Sequence, residues 1–302
     1  MEDIYRRQVE LLIRCLPEVE KKTCFALKGG TAINLFVRDM PRLSVDIDLV
    51  YLPIEPRNQT LINITTALNE IAHNIERNIK GASVTKLHKD KHIHKLVIEY
   101  ENARIKIEPN IVQRGSVYSV ETQYLCGRAE TEFEVSVAVN TLNTAELYGS
   151  KIVAALDRQH PRDLFDVKLL LESEGITNKS RTAFVVYLSS HPHPMNELLK
   201  PNLKEIEPLF YSQFQGMTNI PVELTELSDT REQLIRLINK DLTEVERRFL
   251  VSIKLNKPDW SLIDIQNIEQ LPAIQWKLQN IQKMDKKKQQ EAVDKLKDVL
   301  GL

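Results

Sequence analysis

Two aspartates, Asp46 and Asp48, alternate with apolar residues in the segment SVDIDLV. Side chains alternate across a β-strand, so both carboxylates point to one face, with Cα atoms about 6.5 Å apart. At that spacing they can converge on one or two hard cations such as Mg²⁺, which proteins usually hold with one or two carboxylates plus substrate phosphates. The spacing therefore predicts a metal site on the face of a strand.

A glycine pair, Gly29-Gly30, precedes the aspartates and lies between a short apolar strand predicted over 25–27 and a helix predicted from 31 to about 40. Glycine lets the backbone turn tightly and approach a ligand closely. The N-terminus of the helix offers free N–H groups and the positive end of its dipole, which favours phosphate. With the aspartate strand predicted over 44–52, the segment indicates a metal–triphosphate site.

The wording LKGGTAINLF followed by RLSVDIDLV resembles motif I of the nucleotidyltransferase superfamily with a DNA polymerase β-type core. It is most similar to the AbiEii/AbiGii toxin family, to which the MenT toxins are related, and similarity continues to LPAIQWKLQNI near the end of the chain. The resemblance implies a Mg²⁺-dependent enzyme that moves NMP from an NTP to an acceptor hydroxyl and releases pyrophosphate. Gly29 and Gly30 would then hold the triphosphate, and Asp46 and Asp48 would hold two metal ions.

The same resemblance implies the toxin of a toxin–antitoxin or abortive-infection system. Relationship to the MenT toxins suggests tRNA as the acceptor. A cognate antitoxin is a further expected partner, and it could bind the toxin, modify it or act on its expression.

A third carboxylate completes a two-metal site, in which the ions hold the attacking and leaving oxygens in line. The segment RIKIEPN, on a strand predicted over 104–111, resembles motif II and makes Glu108 the candidate. Glu99 is the competing choice. The alternative for Glu108 is a surface salt bridge with Arg104 or Lys106, which share its strand face.

Ser44 and Arg42 complete the pattern R-x-S-x-D-x-D. Ser44 shares the face of the aspartates, so its hydroxyl could hold a phosphate oxygen or orient a metal ligand; capping the strand is the alternative. Arg42 could contact phosphate, and a solvated loop arginine is equally compatible with the sequence.

The phrase KIVAALDRQHPRDLFD resembles motifs III and IV of the AbiEii-type family, K-x-x-A-x-x-x-R followed by R-D-L-x-D. The resemblance implies that Lys151 contacts nucleotide phosphates and that Asp163 supports catalysis, with Arg158 and Asp166 as further nucleotide-binding residues. Spacing alone places Lys151 with Arg158, and Asp163 with Asp166, on shared helix faces. Without the resemblance, salt-bridged helix faces, such as Arg158 or Arg162 with Asp163, would explain them.

The pattern of elements predicts a mixed α/β (α+β) fold with a boundary near residue 143. Residues 1–143 combine helices with strands, including one predicted over 133–139, and form a polymerase β-like nucleotidyltransferase sheet lobe. Residues 144–302 read as almost entirely helical, and this lobe is expected to complete the nucleotide and acceptor site.

Composition is that of an ordinary globular protein of 302 residues with a formal net charge of −1. The three cysteines are too scattered for a disulfide framework, and no run approaches the roughly 20 apolar residues of a membrane span. We expect a cytoplasmic protein without membrane contact. Any RNA contact must come from local basic patches, such as the lysine-rich run over 283–297, which is otherwise a solvated helix.

The histidines invite a zinc hypothesis at two places, His92 with His94 and His191 with His193. No cysteine or acid completes a tetrahedral set at the usual spacing, so metal binding is disfavoured at both.

Two other function classes remain. A small-molecule nucleotidyltransferase, such as those that modify aminoglycosides, shares motif I and predicts acidic residues around the acceptor. A non-catalytic nucleotide-binding or interaction module would keep the fold alone, but intact Asp46, Asp48 and Lys151 argue against it.

Overall fold

The computed structural model describes residues 3–302 and divides them into two units. The first comprises the described residues up to Thr144 together with Gln215–Pro221, and the second comprises Ala145–Phe214 and Val222–Leu302. Within the described range, no helix has both the length and the apolar character that crossing a membrane requires.

The first unit is built on one seven-stranded mixed sheet in the order β3-β4-β5-β2-β1-β7-β6. Its strands are β1 (Phe25–Lys28), β2 (Asp46–Tyr51), β3 (Ser83–Lys89), β4 (His92–Tyr100), β5 (Ala103–Asn110), β6 (Glu121–Tyr124) and β7 (Ala138–Thr141). The aspartate strand β2 is central, with β1 antiparallel on one side and β5 parallel on the other. Its side chains are therefore flanked by those of two neighbouring strands.

Helices in the first unit are α1 (Asp3–Glu20), α2 (Gly29–Ala32), α3 (Arg57–Asn78) and α4 (Gly127–Phe133). The helix predicted from 31 begins instead at Gly29, directly after β1, and continues as a π-helical turn over Ile33–Val37. The chain leaves it at Arg38, whose backbone is extended. The short helix thus starts at the glycine pair, beside the aspartate strand.

The strand predicted over 133–139 is largely wrong. Phe133 ends α4, Glu134 adopts a left-handed conformation with φ 51°, and β7 starts only at Ala138. The alternation of Phe133, Val135 and Val137 suggested a strand, but Phe133 and Val135 lie partly exposed rather than on a core face. Alternation without burial does not define a strand.

The second unit is helical, with two short 3₁₀ turns. Its helices are α5 (Thr144–Arg158), α6 (Pro161–Glu172), α7 (Asn178–Ser190), α8 (Met195–Leu199), α9 (Glu207–Gln213), α10 (Leu224–Asp241), α11 (Glu244–Lys254), α12 (Pro272–Gln282) and α13 (Lys286–Leu300). Between α5 and α6 the chain turns sharply: Gln159 has φ 52°, and the His160 ring accepts a hydrogen bond from the backbone N–H of Arg162. This turn brings the first turns of α6 beside α5.

Candidate functional site

Strand pairing aligns the acidic side chains of the first unit. In the parallel register of β2 and β5, Asp48 lies opposite Glu108 and Asp46 lies opposite Lys106. Neighbouring strands are about 4.8 Å apart, and directly paired residues project to the same face. Ile47, between the aspartates, is fully buried on the other face. The structure therefore brings Asp46, Asp48 and Glu108 together on one accessible face.

Glu108 and Glu99 differ in their distance from the aspartates. Glu108 forms an ion pair with Lys95 on β4 (2.7 Å), while Glu99 pairs with Arg104 (3.4 Å). Arg104 is four residues before Glu108, which places Glu99 about 13 Å away along the sheet. The salt bridge expected for Glu108 exists, but its partner is Lys95 rather than Arg104 or Lys106. Only Glu108 of the two glutamates is adjacent to Asp48.

The glycine pair lies directly against the site side chains. Gly29 has φ +74°, and a Cβ there would be 2.6 Å from Oδ2 of Asp48. A Cβ on Gly30 would lie 2.7 Å from Nη2 of Arg42 and 2.9 Å from Oγ of Ser44. The absence of both side chains leaves the space that these polar groups occupy. An all-oxygen acid set beside bare backbone is chemically suited to Mg²⁺ and phosphate.

Arg42 and Ser44 are both buried, at 2% and 8% exposure, so the solvated-arginine alternative is wrong. One guanidinium nitrogen of Arg42 donates to the carbonyl of Leu43 (2.9 Å), and its backbone pairs with Thr218. The hydroxyl of Thr31 donates to the carbonyl of Asp46 (2.5 Å) and lies 3.0 Å from Oγ of Ser44. Thr31, which the motif analysis missed although it directly follows the glycines, connects the helix start to the aspartate strand.

A second polar cluster lies in the helical unit. The ammonium of Lys151 on α5 contacts Asp163 (3.0 Å) and Asp166 (2.9 Å) on α6, and Arg158 contacts Asp163 (2.8 Å). Lys151 and both aspartates are buried, whereas the Arg158 side chain is 60% exposed. The Arg158–Asp163 salt bridge of the alternative interpretation is present, and it belongs to a buried network rather than a solvated face. Roles of these four residues in catalysis or nucleotide binding stay predictions.

Charges within this cluster keep Asp163 ionised. Burial alone would raise the pKa of its carboxyl, but the neighbouring cations Lys151 and Arg158 outweigh it and lower that pKa below its ordinary value. Two positive and two negative groups balance in the cluster. Removing one member of such a buried network leaves the remaining charges uncompensated, which is strongly destabilising.

Acid should therefore weaken the helical unit through Asp163. A carboxyl whose folded pKa is lowered stabilises the fold above its unfolded pKa of about 3.9, and this contribution is lost as pH falls through the folded pKa. We expect Asp163→Asn to be less stable than wild type at neutral pH, with the difference shrinking below about pH 4. Urea unfolding across pH measures this.

Glu172→Gln is the matched control for the acid experiment, because Glu172 lies on the same helix with its side chain 55% exposed in a pair with Lys168. It should follow the wild-type pH curve closely. A constant gap between Asp163→Asn and wild type down to the lowest pH would contradict the assigned pKa shift.

The class of protein follows from comparison with known families. A family model described as nucleotidyl transferase AbiEii toxin of type IV toxin–antitoxin systems matches residues 10–280, which makes the chain a nucleotidyltransferase. The chain belongs to the AbiEii toxin family. The resemblance drawn from motif I is confirmed, as is the enzyme class. Membership implies an NTP substrate and an antitoxin partner, and nucleotidyltransferases typically use metal ions.

The fold is similar to that of MenT4, a nucleotidyltransferase toxin from Mycobacterium tuberculosis. The match has a TM-score of 0.60 and 14% sequence identity, and it covers 97% of this chain and 92% of that one. This confirms the predicted mixed α/β nucleotidyltransferase fold. No curated protein sequence matches the chain.

Proposed function

We propose that the protein is a Mg²⁺-dependent toxin that transfers NMP from an NTP to a hydroxyl of tRNA in the cytoplasm. One observation carries the chemistry: Asp46, Asp48 and Glu108 share one sheet face, beside a glycine pair whose missing side chains leave the backbone open. The tRNA acceptor is supported by family relationship to the MenT toxins, and a reaction that uses NTP and tRNA is expected in the cytoplasm.

In the proposed reaction, the acceptor hydroxyl loses its proton to bulk water as its oxygen forms a bond to the α-phosphorus. The bond from that phosphorus to the bridging oxygen breaks, and pyrophosphate leaves. Asp46, Asp48 and Glu108 would hold Mg²⁺, which supplies charge stabilisation for the phosphates and the leaving group. Gly29 and Gly30 would let the triphosphate approach the backbone amides at the start of α2. Arg42 and Ser44, whose polar groups lie next to Gly30, would orient the phosphate there.

Basic groups flank the acids, so this part of the sheet lacks the excess of acid that a cationic aminoglycoside would need. Lys28 lies opposite Asp48 on β1, Lys106 lies opposite Asp46 on β5, and Lys95 pairs with Glu108. Three lysines thus surround three acids on this part of the sheet. A cationic substrate would instead be attracted by an excess of acid.

The proposal is tested by incubating the protein with Mg²⁺, each labelled NTP in turn and total bacterial tRNA, followed by a denaturing gel. Asp46→Ala is run alongside, after its melting curve has shown that it folds. Label on tRNA from wild type, absent with Asp46→Ala, is the expected result. Label that persists with folded Asp46→Ala would overturn the mechanism, and label on another acceptor with none on tRNA would overturn the tRNA assignment.

Glu108→Gln should lower transfer by at least about tenfold, because it removes one of three negative ligands while keeping the side-chain shape. Glu99→Gln is the matched control on the same sheet face and should retain wild-type activity. Initial rates at saturating NTP measure both. The reverse outcome, with Glu99→Gln inactive and Glu108→Gln active, would assign the third acid to Glu99.

Gly29→Ala should reduce both activity and stability. The new methyl group meets Asp48 at 2.6 Å, and φ +74° is unfavourable for alanine, by about 1–2 kcal/mol. Thermal melting and transfer rates measure the two effects. Gly127→Ala, where a Cβ would have open space, serves as the control and should change neither. Wild-type activity in Gly29→Ala would contradict the tight packing of Gly29 against Asp48.

A further inference from the structure

A side-chain cluster in the helical unit has no part in the proposed transfer reaction. Asp157 on α5 meets His191 and His193, which follow α7, and one ligand atom from each lies within 4.8 Å of the others. Nδ1 of His193 is 2.6 Å from one carboxylate oxygen of Asp157, and Nε2 of His191 is 3.7 Å from the other. The acid that the sequence analysis found lacking is therefore present, but it comes from a helix 34 residues upstream of His191.

The histidine segment is held in a defined conformation. Each histidine is followed by a proline, in the order His191-Pro192-His193-Pro194, and proline fixes its own φ while restricting the residue before it. The ammonium of Lys277, which is 8% exposed, donates to the carbonyls of His191 (2.6 Å) and His193 (3.2 Å). The backbone that carries the two imidazoles is thus held in place by the hydrogen bonds from Lys277.

We propose that Asp157, His191 and His193 bind Zn²⁺ or a similar first-row divalent cation. Two imidazoles and one carboxylate suit zinc, and Mg²⁺ prefers oxygen ligands alone, so this site differs in chemistry from the acids on the sheet. The bound ion would join the C-terminal end of α5 to the segment after α7. Because the His193 side chain is 61% exposed, a fourth position is open to water.

The two contacts of Asp157 with the histidines need only small adjustments to bind an ion, and the two histidine donors, which lie within 4.8 Å of each other, move closer together. Ligands about 2.0–2.1 Å from a tetrahedral ion are about 3.3 Å from each other, so His193 moves slightly away from Asp157 and His191 moves closer. Nδ1 of His191 lies 3.2 Å from the backbone N–H of His193, which directs its Nε2 towards Asp157. Binding at Nε2 places the ring proton on Nδ1 and gives up this one long hydrogen bond.

The test uses the full chain, stripped of metal and kept in millimolar Mg²⁺ so that the oxygen site on the sheet is occupied. Zn²⁺ is titrated by calorimetry, and Co²⁺ is titrated by visible absorption, which reports its coordination. The variants are His193→Gln and Asp157→Asn. His88→Gln, at an exposed histidine of β3, is the matched control.

We expect one equivalent of Zn²⁺ on wild type, affinity at least about tenfold weaker in each site variant, and no change in His88→Gln. Zn²⁺ should also raise the Tm of wild type and not that of the site variants. Stoichiometric binding that survives His193→Gln, or wild type that binds no Zn²⁺ under these conditions, would overturn the proposal. His193 is exposed enough that His193→Gln keeps the fold and decides the test by itself.

Discussion

Asp48→Asn is expected to lower nucleotidyl transfer by about a thousandfold or more while leaving the melting temperature nearly unchanged. The side chain lies between Glu108 on β5 and Lys28 on β1, with Gly29 packed against it. Asparagine keeps this shape and removes one negative charge from the acid set. Charge stabilisation by a catalytic ion is worth several kcal/mol, and about 4 kcal/mol corresponds to about a thousandfold in rate.

Initial rates with saturating NTP and acceptor, together with thermal melting, measure the effect of Asp48→Asn. The control is Asp90→Asn in the exposed turn between β3 and β4, where φ is 55° and asparagine is as well tolerated as aspartate. Asp90→Asn makes the same chemical change in the same unit without altering Asp46, Asp48 or Glu108. A folded Asp48→Asn protein with activity close to that of Asp90→Asn would exclude Asp48 from the reaction.

The local features of this site could be read from the sequence because they depend on neighbours in the chain. Asp46 and Asp48 face one side because a strand alternates, and Ile47 between them is buried for the same reason. The glycine pair precedes a helix because backbone freedom and free N–H groups are needed at that turn. Both are properties of a few consecutive residues.

Partners from distant segments could not be read in this way. Glu108 reaches Asp48 only because β2 and β5 pair in parallel in one register, although the two residues are 60 positions apart. A shift of one residue would turn Glu108 to the other face. Burial of Arg42 and the approach of Asp157 to the histidines depend on tertiary packing in the same way. Strand alternation and the resemblance to motif II both favour Glu108 over the competing Glu99, and only the pairing of β2 with β5 separates the two by distance.

Lys151→Met should destabilise the helical unit by about 3–5 kcal/mol, because removing one partner of a buried ion pair leaves the other charges without compensation. Lys151 is 6% exposed, and its ammonium contacts the carboxylates of both Asp163 and Asp166. Methionine matches the length of the lysine stem, so loss of charge rather than of volume dominates the effect. Urea unfolding measures it. Arg248→Met, which breaks an exposed pair with Glu244, is the control and should cost at most about 1 kcal/mol.

Combining Lys151→Met with Asp166→Asn separates the ion pair from the packing around it. If the two charges stabilise each other, the double variant is less destabilised than the sum of the single variants, by about 0.5–3 kcal/mol. Simple additivity would mean that Lys151 stabilises the unit through its stem.

Transfer assays well below the melting temperature test the role that the family resemblance implies for Lys151. If Lys151 contacts phosphate, folded Lys151→Met has a higher KM for NTP. A variant with lower stability but wild-type KM and kcat would assign this lysine to the fold alone, because a contact with the nucleotide phosphates would change KM.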